Sequence, residues 1–139
     1  MQSRASQPEA TQADERRARS VARDWGRFTR NFVVQASAAE WALCWMAALR
    51  SRLAELGADE AARMVEPAKR SGPVFDRAPH LVYFLHDEVI VHTPAALADE
   101  VAEAVTEAAR SAGTLLFGDF PVEFPLDLAV VESYALAEG

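Results

Sequence analysis

The chain has a single cysteine, Cys44, among 139 residues. That excludes an internal disulfide and a zinc site built on paired thiolates, and it fits a reducing compartment. Lysine is equally scarce: Lys69 stands alone beside thirteen arginines. No uninterrupted apolar run approaches the ~18 residues of a membrane-spanning helix. The longest, Trp41 to Leu49, is half that. The opening residues, MQSRASQPEATQADERRARS, contain no apolar stretch that could serve as a signal peptide. These absences lead us to expect a soluble, cytoplasmic protein with no membrane partner. Positive charge is also short, 14 basic against 21 acidic residues for a net charge of −7. This argues against a protein held on nucleic acid by bulk charge.

What is present is a chain that is 50% hydrophobic and 25% charged, enough apolar material for a packed core. Its length corresponds to one domain or a piece of a larger one. The charge is unevenly placed. Residues 1–30 hold seven Arg against four acids, net +3, whereas residues 31–139 hold seven basic residues against seventeen acids, net −10. A local basic surface is therefore compatible with an acidic whole.

Residues 1–12 lack periodicity and carry Pro8, and are expected to be a disordered lead-in. From about Ala13 an arginine-rich helical pattern begins, with Asp14 and Glu15 where the helix dipole favours them. Its few apolar anchors, Val21, Trp25, Phe28 and Phe32, need a partner surface. Over Ser37–Leu56, Trp41, Trp45, Leu49, Leu53 and Leu56 form one continuous apolar stripe, with Gly57 as a stop. Residues 57–79, broken by Pro67, Gly72, Pro73 and Pro79, are a long connection, helical around Asp59–Val65 or mobile. LVYFL at 81–85 and VIV at 89–91 predict a hairpin buried on both faces or nearly so. Thr93-Pro94 predicts the start of a helix, with Thr93 as cap. Its inward stripe is Leu97, Val101, Val105 and Ala108, its outer face Asp99, Glu100, Glu103 and Glu107, and its end lies near Gly113. A last strand is expected over roughly Phe124–Val131. Cys44, Tyr83, Phe84 and Phe117 are expected in the core. The fold class is α+β.

Two groups of residues carry chemistry. His86-Asp87-Glu88 sets adjacent carboxylates between apolar strands, where burial without a partner is costly. They must lie at a turn, face a cation, or both. A plain solvated turn is the simpler alternative, although the tripeptide lacks the Asn-Gly or Asp-Gly chemistry favoured by two-residue hairpins. Arg27, Asn31 and Gln35, spaced by four, project from one helix face. Such side chains suit phosphate oxygens and base edges, and an ordinary polar surface is the competing account.

Taken together and in this order, the two groups resemble the family A DNA polymerases. RFTRNFVVQASAAEWA is similar to the family's stretch of Arg, Asn and Gln before a small-residue pair and a long helix. LVYFLHDEVIVHTP is similar to its palm motif, with HDE at a hairpin tip. The resemblance covers roughly residues 25–139, in texture closest to polymerases of high-GC bacteria. It implies a partial palm over 13–139: long helix, HDE hairpin, helix, closing strand.

By position, the resemblance implies that Asp87 is one of two metal-binding carboxylates for nucleotidyl transfer with Mg²⁺. His86 and Glu88 flank it as catalytic residues near the primer terminus, where His86 also contacts DNA. Arg27, Asn31 and Gln35 are then DNA-binding residues on the primer–template, and a dNTP is the second substrate. Ala36 stands where the family commonly has Gly.

Two-metal phosphoryl transfer bridges ions ~3.5–4 Å apart with carboxylates from separate segments. In the family the second Asp comes from a D-x-S-Q-I-E-like motif, and a helix bearing Arg, Lys and Tyr grips the nucleotide. Neither pattern occurs here. The chain resembles the C-terminal palm portion, expected to be inactive alone. Open strand edges around 81–85 and 124–131 are expected to drive self-association or require missing polymerase segments.

Two other readings remain. A small metal-dependent hydrolase could use His80, His86 and His92 with Asp87 and Glu88, although a hairpin sets His80 and His92 away from its tip. A non-enzymatic module could dock nucleic acid through the arginine-rich helix over 13–30. In a primer-extension assay with Mg²⁺, the purified chain is expected to give no templated incorporation; extension by the chain alone would overturn the partial-palm expectation.

Overall fold

In a computed structural model, residues 12–68, 71–73 and 75–137 are described. The expected lead-in therefore lies outside the described residues up to 11, while Gln12 already begins a helix, and Lys69 also lies outside them. The elements in order are α1 (Gln12–Ala58), α2 (Glu60–Met64), β1 (His80–Leu85), β2 (Glu88–His92) and α3 (Ala98–Phe117). Short 3₁₀ turns occupy Ala95–Leu97 and Tyr134–Leu136. The fold is α+β, mixing helices with one small antiparallel hairpin. The chain divides into two compact units, residues 1–39 and 40–139.

The first unit, over its described residues, is helix alone. Its side chains are exposed from Gln12 through Ala36. The arginine-rich pattern and the Ser37–Leu56 stripe, expected as successive segments, fall within the one helix α1. No proline or chain-breaking pair separates them, so helical hydrogen bonding continues. Within α1, an 18-residue window averages a mean hydropathy of 1.4, long and apolar enough by length and composition to cross a membrane. The averaged window passes where the uninterrupted run does not.

In the second unit, Trp41, Ala42, Trp45, Leu49 and Leu53 are buried from α1, with Leu56 packed beside them. They meet Val101, Ala104, Val105, Ala108, Ala109 and Ala112 of α3. Large indoles on one helix thus face an alanine-rich surface on the other, which leaves room for the rings. Each indole also satisfies its polar edge. Trp41 Nε1 donates to the Ala109 carbonyl at 3.3 Å and Trp45 Nε1 to the Val105 carbonyl at 3.1 Å. The acidic side of α3, Asp99, Glu100, Glu103 and Glu107, faces solvent as expected. There the hydrogen bonds that Arg110 donates to Glu107, and then its charge, hold that carboxyl below the usual range.

Several local expectations are corrected. The helix after the hairpin opens with a 3₁₀ turn, and Thr93 makes no side-chain cap; its hydroxyl donates instead to the Pro94 carbonyl at 3.2 Å. It runs past Gly113 to Phe117 and ends at Gly118, whose φ of 56° suits a residue without Cβ. The hairpin is not buried on both faces. Leu81, Val89 and Val91 pack on the core, while Val82, Tyr83, Phe84 and Leu85 are exposed. A bulge between Leu81 and Tyr83 breaks the alternation of β1.

The expected strand over 124–131 does not form. The sheet has two strands only, and this stretch pairs with neither of its edges. Its side chains hold it instead: Phe124 stacks on Trp41 at 4.3 Å and on Phe117 at 5.6 Å, and Leu126 packs against the core. Phe117 and Cys44 accordingly lie against the core, whereas Tyr83 and Phe84 do not. The connection after α1 is helical over α2, where Asp59–Val65 was expected to be so.

Leu49 is fully buried between the two helices. Leu49→Ala is expected to cost about 3 kcal/mol in chemical denaturation, the range for deleting a core leucine. A cost under about 1 kcal/mol would show that the α1–α3 core does not carry the stability.

Candidate functional site

The hairpin places His86 and Asp87 in a two-residue turn, with Glu88 as the first residue of β2. Leu85 pairs with Glu88 across the turn, and the ladder continues through Phe84–Val89 and Tyr83–Ile90 to His80–His92. Among the described residues His86 is the only non-glycine residue with positive φ, at 56°. A tight hairpin demands a left-handed residue at its tip, and the sequence supplies histidine in place of glycine or asparagine. All three side chains of the tripeptide are exposed, so the carboxylates keep their hydration. This resolves the cost of adjacent acids between apolar strands: they stand at a turn.

Glu88 is held from a distance in sequence. The Tyr134 hydroxyl donates to Glu88 Oε1 at 2.8 Å, tying the 3₁₀ turn near the C-terminal end to the hairpin. No local pattern announced this contact, because the two residues are 46 positions apart. Asp87 and Glu88 supply the oxygen donors that Mg²⁺ prefers, and such an ion commonly takes one or two carboxylates plus phosphate oxygens and water. The donor type fits Mg²⁺. The donor number does not complete a two-metal site: among the described residues no three His, Cys, Asp or Glu side chains cluster to hold a metal ion.

The histidines of the hairpin separate as the geometry requires. His80 and His92 pair at the open end, with ring centroids 5.6 Å apart, while His86 occupies the tip. His80 Nδ1 donates to the Ala78 carbonyl at 2.8 Å, and its ring stacks on Phe75. His92 Nδ1 shares a 2.8 Å hydrogen bond with the Ser71 hydroxyl. Ser71 was not singled out by the sequence, since its loop carries no recognisable pattern.

In the first unit, Arg27, Asn31 and Gln35 lie on α1 at the spacing that sets them along one face, and all three are exposed. Arg27 Nη2 donates to Asp24 Oδ1 at 2.5 Å, one turn earlier. Arg23, Arg27 and Arg30 with Ser20 and Gly26 line a shallow concavity of about 350 Å³. Arg23 and Arg30 thereby join the row that the sequence identified; the signal was the i, i+4, i+7 spacing of arginine itself. Such a surface offers several guanidinium groups to phosphate oxygens.

No protein-family model, curated protein or solved structure matches this chain.

The left-handed His86 carries strain of about 1 kcal/mol that glycine would not. His86→Gly is expected to raise unfolding free energy by up to about 1 kcal/mol, measured by urea denaturation. A loss of stability would show that the imidazole makes compensating contacts.

Proposed function

We propose that this chain is a palm portion of a family A DNA polymerase, contributing one metal-binding carboxylate and part of the duplex-binding surface. The observation that carries the reading is the hairpin. His86-Asp87-Glu88 stands at a solvent-facing turn whose strands are fastened to a helical core through Leu81, Val89 and Val91. A carboxylate used with phosphates and divalent ions must be both exposed and rigidly held, and this placement supplies both requirements.

In this reading Asp87 takes Mg²⁺ together with a second carboxylate from another segment. Glu88, braced by Tyr134, and His86 flank the metal and the primer terminus. Arg27, Asn31 and Gln35 hold the primer–template through its backbone and minor groove, whose acceptors differ little between sequences. A dNTP is the second substrate, and the missing polymerase segments are the natural partners.

The arginine-lined concavity also favours a second reading, a nucleic-acid-binding module without catalysis. The hydrolase reading has less support, because the hairpin sets His86 at the opposite end from His80 and His92.

Fluorescence anisotropy with a labelled primer–template duplex tests the proposal. Arg27→Ala is expected to weaken binding several-fold and to lower the salt slope by about 1. Asp87→Ala is expected to leave affinity equal or higher, because it removes negative charge near phosphates. Addition of a polypeptide bearing the second Asp and the nucleotide grip should restore Mg²⁺-dependent extension to the wild type and not to Asp87→Ala. Duplex binding with no restored extension would favour the non-enzymatic module, and no duplex binding would overturn both readings.

A further inference from the structure

Val21, Trp25, Phe28 and Phe32 recur along α1 at spacings of four, three and four. They stand 49%, 64%, 62% and 65% exposed, in a unit whose described residues from 12 to 36 are all exposed. The rings touch one another along the helix: Trp25 meets Phe28 edge-on at 5.9 Å, and Phe28 stacks on Phe32 at 6.3 Å. Contiguous exposed aromatic surface of this kind marks an interaction site.

We infer that the stripe is the seam of an antiparallel homodimer, in which the helix over residues 12–39 pairs with that of a second copy. The first argument is symmetry. A two-fold interface requires that if residue i meets residue j, then j meets i. The stripe has that property, being palindromic about the midpoint between Gly26 and Arg27: Val21 mirrors Phe32, and Trp25 mirrors Phe28. Laid antiparallel, Val21 faces the partner's Phe32 and Trp25 the partner's Phe28, twice over.

Charge gives the second argument. With Trp25 and Phe32 at a and Val21 and Phe28 at d of a heptad, the e and g positions beside the rings hold Ala22, Asp24, Thr29 and Asn31, and one heptad earlier Glu15 and Arg17. Arg16, Arg19, Arg23, Arg27 and Arg30 fall on b, c and f, pointing away from the seam. Antiparallel pairing sets Asp24 opposite the partner's Asn31 and Ala22 opposite the partner's Thr29, so no like charges meet. Asp24 keeps its own-chain pairing with Arg27. A basic amphipathic helix can also lie on an anionic lipid surface. That role calls for arginine at the borders of the apolar stripe; beside the rings the borders hold Asp24 and no arginine, Arg17 lying one heptad earlier, and the role has no use for a palindrome.

Area gives the third. An aromatic side chain presents roughly 150–250 Å², so rings more than half exposed leave roughly 120 Å² each to cover. The six rings of two copies account for roughly 700 Å², and the valines and flanking side chains bring the contact to about the 1,000 Å² that a specific interface needs.

This inference requires no nucleic acid and uses the apolar face of α1, although Asn31, which the polymerase reading places on DNA, borders the seam; light scattering without DNA therefore tests it apart from duplex binding. Light scattering on the full chain, at tens of micromolar and without DNA, is expected to give a mass near twice 15.2 kDa. Trp25→Glu with Phe28→Glu should halve it; both sites are exposed, and circular dichroism checks that helix content is kept. Phe84→Glu on the hairpin should leave the dimer intact. In a Cys44→Ala background, nitroxides on Arg17→Cys should lie roughly 28 Å apart along the helix axis, from 1.5 Å per residue, against about 10 Å for a parallel pair. A wild-type monomer, a dimer that survives the Trp25/Phe28 change, or one lost through Phe84→Glu would overturn the inference. So would a monomer that binds phosphatidylserine vesicles through Trp25, which would assign the stripe to lipid.

Discussion

Everything that is positioned in the second unit depends on two indoles lying against an alanine surface. Trp41 and Trp45 stack on each other at 5.1 Å and donate their N–H groups to carbonyls of α3. A tryptophan buried without a partner for its N–H would lose much of what its ring gains. Because both are satisfied, the pair contributes apolar area and direction together. Phe124 then stacks on the outer face of Trp41, so the same ring that joins the helices also anchors the stretch after α3.

The hairpin inherits its orientation from that core. Its inner residues, Leu81, Val89 and Val91, rest on the helices, which leaves the turn at the far end in water. A two-stranded ribbon alone is marginal, and here the packing of one face offsets that weakness. The strained His86 survives at the tip because the ladder on either side fixes the turn. The Tyr134 contact to Glu88 adds a second tether from a segment without a regular element of its own beyond a 3₁₀ turn.

Charge is segregated in the same way as the apolar surface. The first thirty residues are net positive and the remainder is strongly negative, so an acidic protein can offer one basic helix to an anionic partner. On that helix, Arg23, Arg27 and Arg30 lie away from the aromatic rings, which lets one face meet phosphate and the other a second helix. Exposed carboxylates at a fixed turn and a guanidinium row on a helix are the two features on which the functional reading stands.

Much of this was legible in the residues. The spacing of four from Trp41 through Trp45 and Leu49 to Leu53 specified a buried stripe, and Leu97, Val101, Val105 and Ala108 specified its counterpart. The placement of His86-Asp87-Glu88 at a turn followed from the cost of burying two acids. Periodicity and desolvation are local properties, so a sequence can state them. The absent strand over 124–131, the exposure of Tyr83 and Phe84, and the Tyr134–Glu88 bond were decided by tertiary structure alone. A β-prone stretch becomes a strand only if another strand offers its hydrogen bonds, and which face of a hairpin is covered depends on what packs against it. Those are relations between distant segments, and no local pattern encodes them.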